Sequence, residues 1–67
     1  MKALVLSKVR GIYMLRHIIY GIDEKETLDE VKRKYYKDYH RTTTDEFFLF
    51  HSNEEMNKIL LEHGIKA

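Results

Sequence analysis

The chain contains no cysteine, no proline and no tryptophan, and only three glycines in 67 residues. Without cysteine it can form neither a disulfide nor a zinc–thiolate site, and the absence fits a reducing compartment. Without proline, and with no repeat or low-complexity tract, nothing divides it into parts. No apolar run approaches the roughly 20 residues that span a bilayer. The first run, Ala3 to Leu6, is too short for the hydrophobic region of a secretory signal. These absences predict a cytoplasmic protein with no membrane partner. An excess of charge is also lacking: 12 Lys and Arg face 11 Asp and Glu, a net charge of +1. Nothing draws the chain as a whole to a polyanion.

Residues 1–67 therefore form a single domain, and a small one. A chain of this size buries only about 60% of the surface it exposes when unfolded. Such a core rarely supplies more than about 3–5 kcal/mol. Close packing or a partner must make up the difference, which favours a homo-oligomer, a dimer first.

Charge is segregated along the chain. Residues 22–30 carry five acids and one base, and residues 32–41 carry five bases and one acid. Between them, residues 27–41 read as an amphipathic helix. Leu28, Val31, Tyr35 and Tyr39 fall on one stripe of a 3.6-residue period. Thr27 with Glu30 makes a capping box. The acidic first turn and basic last turn suit the helix dipole. The threonines at 42–44, poor helix formers, end it.

Residues 2–10 read as a strand in which Ala3, Val5 and Val9 alternate with Lys2, Lys8 and Arg10, an alternation that Leu4 and Leu6 blur. Gly11 supplies a hairpin turn. Residues 12–20, apolar on both faces and rich in Ile and Tyr, suggest the central strand. A single helix over 3–20 is the competing assignment. Residues 46–50 read as a third strand, with a helical turn as the alternative. Ser52 and Glu55 open a second helix, whose stripe is Met56, Ile59, Leu60 and His63. Gly64 and Ile65 are placed for a Schellman ending. The predicted fold is α+β, order ββαβα, a three-stranded mainly antiparallel sheet with both helices packed on one face.

Two groups of residues are candidates for binding. Arg33, Lys34, Lys37 and Arg41 form a basic ridge on the first helix, able to neutralise phosphates or to meet an acidic protein. The plain reading of the same ridge is a solvated helix face. Tyr13, Tyr20, Tyr36 and Phe48 exceed what so small an interior can hold if one sheet face is bare. Exposed rings of this kind mark interface centres. Two local likenesses touch on catalysis. The spacing of Arg33 and His40 resembles the Arg–His motif of the HEPN ribonucleases over eight residues, which implies activation of a ribose hydroxyl. Gly11, Ile12 and Tyr13 resemble the first tripeptide of the GIY-YIG nucleases, although the second tripeptide is absent. A solvated helix end and a hairpin turn explain the same residues without catalysis. The four histidines lack the spacing of a metal site, and Asp23, Glu24, Glu26, Asp45, Glu46, Glu54 and Glu55 lack that of a calcium loop. They read as caps and solubility charges. No cofactor is expected.

These features together point to a small non-enzymatic regulator or inhibitor, of the sort encoded by phages and other mobile elements. It would bind another protein, or itself, through an aromatic sheet face and the basic ridge. Nucleic-acid binding through Arg33, Lys34, Lys37 and Arg41 is the alternative.

Overall fold

In the run Ala3, Leu4, Val5, Leu6, apolar side chains point to both sides of an extended backbone, so a strand built from it needs cover on both faces. The computed structural model, which describes residues 1–42 and 44–66, supplies that cover. The elements are β1 (Lys2–Val9), β2 (Ile12–Ile19), α1 (Leu28–Asp38), β3 (Asp45–Phe50) and α2 (Asn53–Glu62). The order ββαβα and the antiparallel three-stranded sheet are as the sequence predicts.

Two expectations are corrected. The strand order is β2-β1-β3, so β1 is central and β2 lies at an edge. The helices also lie on opposite faces. Ala3 and Val5 of β1 join Phe47, Val31, Tyr35 and Ile22 under α1. Leu4 and Leu6, on the alternate side, join Phe50 and Leu60 under α2. The leucines that blurred the alternation are the second core. No side of the sheet is left wholly bare, but each helix is short and covers only part of its face.

A two-residue loop joins β1 to β2. Val9 pairs with Ile12, and the residues between, Arg10 and Gly11, have φ of 53° and 80°. Two successive left-handed residues make the primed type of turn, whose twist matches that of the strands. At the other end of β2, Ile22 donates its N–H to the Met1 carbonyl, at 3.0 Å, which ties the following loop to the chain start.

Helix α1 begins as predicted: Thr27 Oγ accepts from the Glu30 N–H and the Glu30 carboxylate accepts in return. It ends earlier than predicted, at Asp38, and Tyr39 is already extended (φ −129°, ψ 149°). Arg41 therefore lies beyond the helix. Of the threonines expected to end it, Thr43 lies outside the described residues. Helix α2 closes with Gly64 at φ 75° and with N–H groups of Gly64 and Ile65 donating to the Leu61 and Leu60 carbonyls, the complete Schellman pattern. Its predicted capping box is half formed. Ser52 Oγ caps the Glu55 N–H, while the Glu55 carboxylate takes the His51 N–H instead of that of Ser52.

Candidate functional site

The register of β1 against β2 slips once. Val5 faces His17 but Leu6 faces Leu15, which leaves Arg16 as an extra residue, a β-bulge. The bulge lets neighbouring Arg16 and His17 both reach the α1 side. Arg16 donates to Asp45 at 2.8 Å and to the His40 carbonyl at 2.7 Å. His17 Nδ1 lies 2.8 Å from the Tyr35 hydroxyl.

Asp45 opens β3 opposite Ser7. It accepts five hydrogen bonds: from the Ser7, Tyr36 and Thr42 hydroxyls, from the Thr42 N–H and from Arg16. Its side chain is 1% exposed. Burial alone would raise its pKa. The donated hydrogen bonds, chiefly those of Ser7, Thr42 and Tyr36, outweigh burial and hold the carboxyl well below the usual range. Tyr36, buried and bonded to that carboxylate, is pushed up to about 12. With every lone pair of Asp45 engaged, Ser7 has no base to activate it, and the cluster acts as a knot joining all three strands to the end of α1.

The predicted binding residues scatter. Arg33 and Lys37 are exposed and make no ion pair among the described residues. Lys34 is held by Glu26 at 2.8 Å. Arg41 lies 4.6 Å above the Tyr36 ring, and the Tyr36 hydroxyl is occupied by Asp45. The acids Asp29, Glu30 and Asp38 share the helix surface with these bases. Among the four aromatic candidates, Tyr20 is exposed, while Tyr36 is half-buried in the knot. Tyr13 and Phe48 are half-buried on the α2 side, each packed against the His63 ring at 4.8 Å. An aromatic sheet face is thus absent among the described residues. Tyr13, Tyr36 and Phe48 are absorbed because both faces of the sheet have a helix to receive them, and Tyr20 alone of the four stays outside.

The residues of the two nuclease likenesses take other places. His40 lies past the end of α1, and its carbonyl accepts from Arg16. Gly11 is in the hairpin turn, and Tyr13 packs toward α2. No group of three or more His, Asp or Glu that could hold a metal ion occurs among the described residues.

Besides Tyr20 and Tyr39, the outside of the molecule carries exposed non-aromatic apolar side chains. Ile12 is 68% exposed, Met14 58%, Val9 52% and Leu15 42%. Val9 faces Ile12 directly, and Met14, two residues along, shares their face. These three lie on the α1 side of the sheet, beyond the Asp45 knot, where α1 does not reach. Leu15 points to the other face of the same strand. A second surface, a cleft of about 350 Å³, lies at the opposite end of β2 and is lined by His17, Tyr20, Tyr35, Asp38, Tyr39 and the Glu26–Lys34 pair among others. Tyr39, still on the helical stripe though off the helix, stacks on Tyr35 with ring centres 4.7 Å apart.

Sequence reasoning missed the knot and the hairpin surface. A lone arginine inside an otherwise apolar strand was the signal for the first, since a cation there needs a carboxylate. The signal for the second was that Ile12, Met14 and Leu15 exceed what an edge strand can bury. Compared with family models, curated proteins and solved structures, the chain matches none.

Proposed function

We propose that this chain is a small protein–protein interaction module that docks through the hairpin end of its sheet. The observation that carries this is the group Val9, Ile12 and Met14, exposed on one face at the hairpin end, with Leu15 exposed on the other face of β2, an edge strand with no neighbour on its outer side. An open, apolar edge strand invites pairing with another chain, and proteins ordinarily blunt such edges. Contiguous apolar surface of a few hundred Å² on a small protein is commonly functional. Covering what remains exposed of each side chain contributes on the order of 1 kcal/mol apiece. The role is that of a regulator or inhibitor, which needs a surface and no chemistry.

Site-specific photo-crosslinking in the native cell tests this. A benzophenone side chain at position 12 or 14 is expected to give discrete protein adducts, and one at Asn57, exposed on α2, to give none. Equal labelling at all three positions, or none at 12 and 14, removes the proposal.

Nucleic-acid binding is the second reading, favoured by Arg33 and Lys37, exposed and without an ion pair among the described residues. It predicts affinity that falls steeply with salt and is lost in Arg33→Glu/Lys37→Glu. Salt-independent or absent gel shifts dispose of it.

A further inference from the structure

The hairpin end differs from the rest of the molecule in charge. Residues 1–22 contain Lys2, Lys8, Arg10 and Arg16 and no Asp or Glu, so all 11 acids of the chain lie beyond them. Arg16 is neutralised by Asp45. Lys8, which lies over the Tyr13 ring on the α2 side, and Arg10, in the turn between Val9 and Ile12, make no ion pair among the described residues. The nearest other carboxylate on the sheet, Glu46, is opposite Leu6 and so shares the α2 side with Lys8 and Tyr13, but it forms no ion pair with Lys8 among the described residues. Arg10 is notable in a second way. Its φ of 53° is a conformation that Asn, Asp or Gly adopts at lower cost, so a cation is held at the tip against local preference.

We infer that the occupant of this end is an extended segment of another protein, apolar with acidic residues interleaved, which adds as a strand along residues 12–15 of β2. The inference rests on the docking role proposed above and names the partner's chemistry. Three features select this occupant together. The aliphatic group requires apolar side chains. Lys8 and Arg10 require carboxylates. The unpaired edge requires a backbone, because a polar backbone covered without hydrogen-bond partners is costly. The bulge at Arg16 limits the paired stretch to the residues before it. A second copy of the chain brings a backbone and apolar side chains, but its residues 1–22 hold no carboxylate to set against Lys8 and Arg10. An anionic bilayer answers the charge and the apolar group but leaves the strand edge unsatisfied. A nucleic acid answers the charge alone.

The test uses the full chain, a blocked peptide of alternating Glu and Val, its Lys–Val counterpart, and phosphatidylserine vesicles, read by amide hydrogen exchange and NMR titration. The Glu–Val peptide is expected to protect amides within 12–15, and the Lys–Val peptide to bind at least about tenfold more weakly. The exchange variant Lys8→Glu/Arg10→Glu is expected to invert that preference. Lys8→Gln/Arg10→Gly, a milder change that relieves the turn, is expected to abolish it. Equal binding of both peptides, protection along β3 instead of β2, no protection at millimolar peptide, tighter binding to vesicles, or dimerisation through residues 12–15 at micromolar protein each overturns the inference. If the peptides fail while position 12 still crosslinks in cells, the docking surface stands and this account of its partner falls. If both fail, the docking role falls too.

Discussion

Replacing Asp45 by Asn is expected to destabilise the fold by about 2–3 kcal/mol, a figure that follows from who faces each oxygen. Oδ1 receives only hydroxyls, those of Ser7 and Thr42. Hydroxyls can turn to accept from an amide NH2 placed there. Oδ2 receives Arg16, the Tyr36 hydroxyl and the Thr42 N–H, and the amide carbonyl can serve all three. The Asn is therefore held in one orientation with its hydrogen bonds largely kept. What is lost is the negative charge opposite Arg16. Stranding a fully buried cation costs about 3–5 kcal/mol. Arg16 is 23% exposed, so water recovers part of that. For a domain whose core supplies about 3–5 kcal/mol, the variant keeps about 1–2 kcal/mol at 25 °C, and Asp45→Ala, which removes the acceptor of all five hydrogen bonds, does not fold. Urea titration followed by circular dichroism at neutral pH measures the difference, with the m-value unchanged. Arg16→Gln completes the cycle. If the stranded guanidinium is the cause, the double variant recovers about 1 kcal/mol or more relative to additivity. A loss below about 0.5 kcal/mol for Asp45→Asn, or strict additivity with Arg16→Gln, refutes the reasoning.

Four further outcomes are expected. Because the Asp45 carboxyl is held below its unfolded pKa of about 3.9, its stabilisation is complete above that pKa and is lost as pH falls through it toward the folded value; stability should decline by up to about 1.4 kcal/mol per pH unit below roughly pH 4, and Asp45→Asn should flatten that slope, as acid titration of urea midpoints reads. Arg10→Gly, at φ 53°, should stabilise by about 0.5–1 kcal/mol and raise the melting temperature by several degrees, against the usual direction for a substitution to glycine. Gly64→Ala should cost about 1 kcal/mol by thermal melt although its added Cβ meets nothing within 4 Å, since the left-handed φ of 75° alone penalises it. Ile12→Asp should leave the urea midpoint within about 0.5 kcal/mol of the parent while abolishing crosslinking from position 14, because Ile12 is more than half exposed.

How much of this was legible in the sequence depends on the range of the signal. Local chemistry was readable. The Thr27–Glu30 box, the Ser52 cap and the Gly64–Ile65 ending all appear where short-range rules put them. The end of α1 was misplaced because Tyr39 keeps the helical spacing without the helical backbone: its ring reaches Tyr35 and His17 from an extended residue. The placement of the two helices was misjudged because alternation was taken as the norm and Leu4 and Leu6 as noise. In a strand covered on both faces there is no alternation to find. Strand β2 misled in the opposite sense. Its apolar content suggested a central strand, yet those side chains are the ones left outside. The Arg16–Asp45 pair spans 29 residues, and no local pattern announces which carboxylate a strand arginine will meet.

That β2 reads as buried and stands exposed bears on where the function lies. Among the described residues every buried side-chain nitrogen and oxygen has a hydrogen-bond partner, including the carboxylate of Asp45 in its pair with Arg16. A chain that satisfies its interior so fully has few places where local preference and structure disagree, and such places are where function is expected. Here they coincide. The left-handed arginine, the exposed Val9, Ile12, Met14 and Leu15, and two cations that make no ion pair among the described residues occur together within residues 8–15, on one hairpin. Each alone has a structural explanation: a tolerated turn, an edge too short to cover, a chance of composition. Together they set three costs at one end of a domain with little stability to spare, and a bound acidic strand relieves two of the three at once. The turn strain remains and is the cost of holding Arg10 there, which is why Arg10→Gly separates the two demands: it should make the free protein more stable and the complex weaker.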